Sequence, residues 1–132
     1  IRACACTGDY KNKKSYIIVA DNAHFSVYNA IELLDLIPIY VNIGYNDLGI
    51  AKECDAKSVK ALLEANKEKN IVAALFTSPT YEGVVSDIQV IAKTLHEYNI
   101  PVIVDEAHGA HLTYIEKTTK IKSLKKVIIM SI

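Results

Sequence analysis

The sequence has no tryptophan, one methionine, two phenylalanines and no excess of charge of either sign. Its 15 basic side chains balance 15 acidic ones, so no overall electric field favours nucleic acid or an acidic membrane as a partner. No apolar run reaches the roughly 18 residues of a membrane-spanning helix, and no signal peptide is visible. We therefore expect a protein that binds neither nucleic acid nor membranes.

Cysteine is also scarce. Cys4, Cys6 and Cys54 are an odd number without the spacing of a disulfide framework or a metal site. This pattern predicts free thiols in a reducing compartment, and we expect a cytoplasmic protein. The chain starts at Ile1 without a methionine and stops just after an apolar run, so we expect it to be a piece of a longer polypeptide.

The 132 residues are 51% apolar, which is enough for one domain with a modest core. Short apolar runs alternate with helical patterns that begin at the candidate caps Ser26, Asp55 and Asp87. The runs predict five strands, at residues 16–20, 38–43, 71–76, 102–105 and 127–130. Regular alternation of strand and helix predicts an α/β fold, with a mostly parallel sheet and helices on both faces.

The stretch from residue 101 to 111, PVIVDEAHGAH, contains the strongest functional signal. A buried strand leads directly into Asp105 and Glu106. Ligands of open α/β sheets bind outside the carboxyl ends of parallel strands, where polar groups escape the cost of burial. His24, the polar loop at residues 77–83 and Ser131 also follow predicted strands. We therefore expect these groups to converge at one edge of the sheet.

Two functions of this motif are disfavoured. An Asp-Glu-Ala-His strand also occurs in helicase-type ATPases, but these need the phosphate loop G-x-x-x-x-G-K-[ST]. Gly44 and Gly49 have the right separation, yet Ile50 and Ala51 follow them. The second alternative is a metal site, for which four side chains offer suitable ligands: Asp105, Glu106, His108 and His111. A short loop rarely points all four at one ion.

A pyridoxal phosphate site uses more of these residues. This cofactor stores electrons through a protonated ring nitrogen, which an aspartate such as Asp105 keeps protonated. Ala107 is small enough for a flat ring to lie against the backbone. His24 is planar and follows a neighbouring strand, and Ser131 offers a hydroxyl donor for a phosphate oxygen.

Three blocks resemble one known family. Residues 21–30 (DNAHFSVYNA), 77–87 (TSPTYEGVVSD) and 104–111 (VDEAHGAH) are similar, in this order, to blocks of the ornithine/lysine/arginine decarboxylases. These are pyridoxal-phosphate enzymes of the aspartate-aminotransferase fold. The resemblance covers nearly the whole chain and implies that it is part of the pyridoxal-phosphate-binding large domain.

The resemblance implies that His24, Asp105 and His108 are catalytic. It also implies contacts with the cofactor for six residues: His24 on one ring face, Ala107 on the other, Asp105 at the ring nitrogen, His108 near the phenolic oxygen, Thr80 near the edge and Ser131 at the phosphate. One departure is Phe25, which stands where the family usually has lysine.

Other parts of the family pattern fall outside this sequence. The phosphate loop would precede Ile1, the Schiff-base lysine would follow Ile132, and a small carboxyl-terminal domain would come later. We expect these 132 residues alone to lack decarboxylase activity.

For the full-length protein, the resemblance implies decarboxylation of lysine, arginine or ornithine to a polyamine precursor by a homodimer or higher homo-oligomer. Two alternatives stay open. The chain is a truncated, non-catalytic domain or binding module, or it belongs to another pyridoxal-phosphate enzyme such as an aminotransferase, because these chemistries share one fold.

Overall fold

The computed structural model describes residue 1, residues 14–109 and residues 127–130. The elements that it contains are, in chain order, β1 (Ser15–Ala20), α1 (Phe25–Leu33), β2 (Ile37–Val41), α2 (Ala56–Ala65), β3 (Asn70–Thr77), α3 (Ile88–Glu97), β4 (Val102–Asp105) and β5 (Val127–Met130). Within these ranges no helix is long and apolar enough to cross a membrane.

The strands form one five-stranded sheet in the order β2-β1-β3-β4-β5, and every neighbouring pair is parallel. The predicted parallel sheet is therefore confirmed. The second strand ends at Val41 rather than at the predicted Ile43. The side chain of Asn42 explains this difference, because its Oδ1 accepts a hydrogen bond from Gly44 N at 2.9 Å and turns the chain out of the sheet.

Helices cover both faces of the sheet, as predicted. Each face has its own cluster of buried apolar side chains, because neighbouring residues of a strand point to opposite sides. One cluster joins α1 to the sheet through Ile17, Val19, Val27, Ile31, Leu75 and Ile103. The other joins α2 and α3 to the sheet through Ile18, Val59, Leu63, Phe76, Ile91 and Leu95.

The helices begin at capping side chains. Asp55 Oδ1 accepts from Lys57 N and Asp87 Oδ1 accepts from Val90 N, each at 3.1 Å, so both predicted caps are confirmed. The prediction for Ser26 is wrong. The first helix begins at Phe25, and His24 caps it, because its backbone is extended and its Nδ1 accepts from Ser26 N at 3.3 Å.

β3 contains one extra residue in the stretch that pairs with β1. Tyr16 is opposite Ile71, but Ile17 is opposite Ala73, so Val72 has no counterpart in β1. Val72 and Ala73 consequently both pack in the α1 cluster, and strict alternation resumes after them.

β5 lies at an edge of the described sheet, and its Ile128 is 43% exposed. The apolar run at residues 127–130 predicts a buried strand, and this prediction is wrong at Ile128. The strand itself has the predicted bounds.

The two phenylalanines of the sequence provide a matched test of the core. Phe76 is 1% exposed between the sheet and helices α2 and α3, whereas Phe25 is 72% exposed. In the full-length protein, Phe76→Ala should lower the free energy of unfolding by about 3–5 kcal/mol, because it removes buried apolar surface and leaves a cavity. Phe25→Ala should change it by no more than about 0.5 kcal/mol. Chemical denaturation of both variants measures this difference, and equal effects would contradict the placement of Phe76.

Cys54 should be unreactive in the folded protein. Burial, followed by the nearby charges of Asp55 and Asp21, raises the pKa of its thiol to about 12, so the reactive thiolate is scarce at pH 8. Iodoacetamide at pH 8 should leave Cys54 unlabelled in the folded protein and label it after denaturation. Mass spectrometry of the peptide that contains Cys54 gives the labelled fraction in both conditions. Rapid labelling of the folded protein would show that the thiol is accessible and ionised.

Candidate active site

A cavity of about 810 Å³ opens where β1, β3 and β4 end. β1 and β3 are adjacent strands of the sheet. The chain leaves β1 towards β2 on one side, whereas it leaves β3 towards β4 on the other. A parallel sheet has its binding crevice at such a reversal, outside the carboxyl ends of the strands. The residues that line the cavity are Asn22, Ala23, His24, Ser26, Tyr45, Ala51, Thr77, Thr80, Tyr81, Glu82, Asp105, Ala107 and His108.

His24 lies at the mouth of the cavity on the amino terminus of α1. Its exposed ring is oriented by Ser26, because Nδ1 accepts from Ser26 N and lies 2.8 Å from Ser26 Oγ. A ring nitrogen that accepts the backbone bond has no proton in the neutral imidazole. The neutral form of His24 therefore carries its proton on Nε2.

Asp105 is the last residue of β4 and is half-buried. Its Oδ1 accepts a hydrogen bond from Ala107 N at 3.2 Å, which orients the carboxylate. The neighbouring Glu106 is 4% exposed and packs beneath Gly109, where a β-carbon would lie close to the Glu106 side chain and 2.8 Å from Pro79 Cδ. The two adjacent carboxylates therefore differ in surroundings, and Asp105 is the one that lines the cavity.

The loop after β3 is fixed to its neighbours by backbone and serine contacts. Ser78 N donates to Asp105 O at 3.0 Å, which joins the ends of β3 and β4. Ser86 N donates to Ser78 Oγ at 3.1 Å, and Cys54 N donates to Ser86 Oγ at 2.8 Å. These bonds hold the loop against the start of α2 and keep its cavity-lining residues in place.

Thr80 lines the cavity, yet its hydroxyl has a structural contact. Thr80 Oγ1 accepts from Val84 N at 3.2 Å, and Thr80 N donates to Val84 O at 2.9 Å. The threonine thus closes its own loop, and its proposed place at the edge of a cofactor stays a prediction.

His108 is exposed in the turn after β4 and meets the ring of Tyr81 edge to face, with 5.3 Å between the ring centres. The two rings form part of the cavity rim. Ser131 and His111 lie outside the described residues. β5 nevertheless ends at Met130, which is opposite Asp105 in the sheet.

Five of the six predicted cofactor residues therefore line one cavity, and the sixth is Ser131. Sequence reasoning missed other lining residues, above all Tyr45 and Ala51. Both come from the loop after β2, where they pair across an isolated antiparallel bridge. No motif marks this loop, so the sequence contains no signal for them. Asn22 was also missed, although its position directly after β1 pointed to the same edge.

The geometry after β2 does not support the ATPase alternative. Gly44 directly precedes the loop that the Tyr45–Ala51 bridge closes, and Gly49 lies within it. A phosphate loop leads straight into a helix, whereas α2 begins only at Ala56. In the part of the chain that the structure describes, no three His, Cys, Asp or Glu side chains come together as a metal site.

Comparison with known proteins assigns the family. Residues 5–126 match the family model of the Orn/Lys/Arg decarboxylase major domain. The chain is 37% identical to an arginine decarboxylase of Bacillus subtilis (strain 168) over 100 residues, which are 74% of this chain and 20% of that protein. It is 26% identical to a lysine decarboxylase of Pseudomonas aeruginosa over 114 residues, which are 79% of this chain and 15% of that protein.

A solved structure shows the same fold. The pyridoxal-phosphate-bound C-S lyase of Staphylococcus hominis matches 91% of this chain and 32% of its own, with a TM-score of 0.69 and 18% identity. At this identity the likeness concerns the fold, which is that of the large domain of aspartate-aminotransferase-type enzymes. The chain spans about a fifth of the length of the curated relatives that it matches. It belongs to the Orn/Lys/Arg decarboxylase family.

Proposed function

We propose that the full-length protein decarboxylates a basic amino acid with pyridoxal phosphate, and that the cavity holds the ring of this cofactor. One observation carries the proposal: Asp105 and His24, which are 81 residues apart in sequence, line the same cavity at the carboxyl edge of a parallel sheet. The family and the fold support the same chemistry.

The donor set of the cavity fits the cofactor. One carboxylate oxygen of Asp105 accepts a hydrogen bond from Ala107 N. This bond orients the carboxylate, which can accept a further hydrogen bond from a protonated ring nitrogen. Ala107 adds only a methyl group on the cavity wall, so a flat ring can approach the backbone. When bound, pyridoxal phosphate supplies an electron sink for the bond that breaks.

His24 has two roles in this proposal. Its planar ring stacks on the face of the cofactor opposite Ala107, and the contacts with Ser26 limit its rotation. As an imidazolium, His24 can deliver its Nε2 proton to the substrate α-carbon and keep its Nδ1 proton, which Ser26 Oγ at 2.8 Å can accept. His108 stands near the phenolic oxygen, with its ring supported by Tyr81.

The substrate class is a basic amino acid, for which we name arginine, lysine and ornithine. Arginine and lysine decarboxylases are among the relatives. The exposed carboxylate of Glu82 also lines the cavity, and it is complementary to a cationic side chain.

The central role of Asp105 is tested with Asp105→Asn in the full-length protein. The variant should retain cofactor but lose roughly a hundred- to a thousandfold in rate, about 2.7–4 kcal/mol of transition-state stabilisation, because an amide cannot stabilise a protonated ring nitrogen as a carboxylate does. The measurements are the absorbance spectrum of the cofactor and the release of carbon dioxide from arginine, lysine and ornithine.

Asp87→Asn is the matched control, because asparagine also caps helices and Asp87 lies outside the cavity. It should decarboxylate at the wild-type rate. Near-normal turnover by Asp105→Asn would remove Asp105 from the mechanism. A wild-type protein that binds no pyridoxal phosphate and releases no carbon dioxide would refute the proposed function as a whole.

A further inference from the structure

Two threonines line the cavity, Thr77 at the end of β3 and Thr80 in the loop that follows, but their hydroxyls have different surroundings. Thr80 Oγ1 accepts a backbone hydrogen bond from Val84 N. Thr77 Oγ1 is buried, and it has no hydrogen-bond partner among the residues that the structure describes. Buried polar groups in folded proteins are nearly always hydrogen-bonded, so a buried hydroxyl without a partner at a binding cavity points to a function there.

Thr77 is the immediate lateral neighbour of Asp105. The two residues are opposite each other in the parallel β3–β4 pair, two positions beyond Leu75 and Ile103. Leu75 and Ile103 both belong to the cluster on the α1 side. Because side chains alternate along a strand, Thr77 and Asp105 project from this same face, and both line the cavity.

The Thr77 hydroxyl can donate a hydrogen bond, and the Asp105 carboxylate can accept one. A carboxylate accepts up to about four hydrogen bonds, and the structure gives Asp105 one, from Ala107 N to Oδ1. Thr77 has a hydroxyl proton to donate, and rotation about its Cα–Cβ bond turns the oxygen towards the adjacent strand. Ser78 N already joins the two strands at this level by its bond to Asp105 O.

We propose that Thr77 is a positioning residue that donates a hydrogen bond from its hydroxyl to the Asp105 carboxylate and so directs this carboxylate at the cofactor's ring nitrogen. The inference rests on the proposed function, because it deepens the role of Asp105. Thr77 acts through Asp105, whereas the Thr80 hydroxyl stabilises the loop after β3 by its bond with Val84 N.

The test compares three variants of the full-length protein loaded with pyridoxal phosphate. Thr77→Val removes the hydroxyl and keeps the shape, and Thr77→Ser keeps the hydroxyl. Thr94→Val is the matched control, because the Thr94 hydroxyl donates to Val90 O within α3 and lies outside the cavity. The measurements are the absorbance spectrum of the bound cofactor, its dissociation rate, and kcat and KM for carbon dioxide release.

For Thr77→Val we expect a changed cofactor spectrum, roughly tenfold faster cofactor dissociation and roughly tenfold lower kcat, the size expected for loss of one hydrogen bond to a charged group. Thr77→Ser and Thr94→Val should resemble the wild type in all measurements. A Thr77→Ser variant as impaired as Thr77→Val would assign the effect to packing and overturn the inference. Thr77→Ala is a second variant without the hydroxyl, and it must show the same spectral change even if it is less stable.

A double-mutant cycle with Asp105→Asn decides whether Thr77 acts through Asp105. If it does, Thr77→Val should change cofactor dissociation and kcat little in the Asp105→Asn background. Independent effects that multiply would overturn the inference. A wild-type protein that binds cofactor, combined with an unaltered Thr77→Val spectrum, would overturn this inference alone. A wild type without bound cofactor would overturn both it and the proposed function.

Discussion

The candidate site depends on the direction in which the chain leaves two adjacent parallel strands. From β1 it turns towards β2, with α1 on one face, and from β3 it turns towards β4, with α3 on the other. Right-handed crossovers require this change of face whenever the direction reverses. Within residues 14–109, no connection then covers the gap between the exit ends of β1 and β3, and side chains that follow these strands line a cavity.

Backbone and serine hydrogen bonds hold the walls of that cavity in place. Ser78 joins the exit of β3 to Asp105, and Ser86 joins the same loop to Cys54 ahead of α2. The bonds of Ser86 with Cys54 and Ser78 are buried, and hydrogen bonds are stronger in surroundings of low polarity. A cofactor ring needs walls that stay in place, because small errors in the position of a reacting group cost much of the rate.

Most of the described fold could be predicted because its strands are apolar runs and two of the three helices within residues 14–109 start at aspartate caps. Asp55 and Asp87 could be identified because a carboxylate at the first turn has one obvious function. His24 was not identified, because histidine is not among the preferred capping residues serine, threonine, aspartate and asparagine. Serine is the commoner cap, so Ser26 was the natural but wrong choice.

The site was predictable where it follows strand ends and unpredictable where it depends on side-chain contacts. His24, Asp105 and Ala107 follow apolar strands and could be assigned from position and resemblance. The Thr80 hydroxyl accepts a hydrogen bond from Val84 N, whereas the Thr77 hydroxyl has no partner among the described residues. This difference depends on how the chain turns after β3. Tyr45 reaches the cavity through a loop whose sequence has no distinctive pattern.

The extra residue of β3 sets which face Thr77 occupies. β3 is apolar on both faces, so its sequence alone does not show which of its residues face α1. Either alternation of its side chains would bury apolar groups. The extra residue Val72 shifts the alternation of side chains by one position, and from Ala73 onwards every odd-numbered residue faces α1. Removal of any one residue between Ala73 and Thr77 would reverse this alternation and turn the Thr77 hydroxyl towards α2 and α3. β3 should therefore accept many exchanges of one apolar residue for another during evolution, but no change of length in this half.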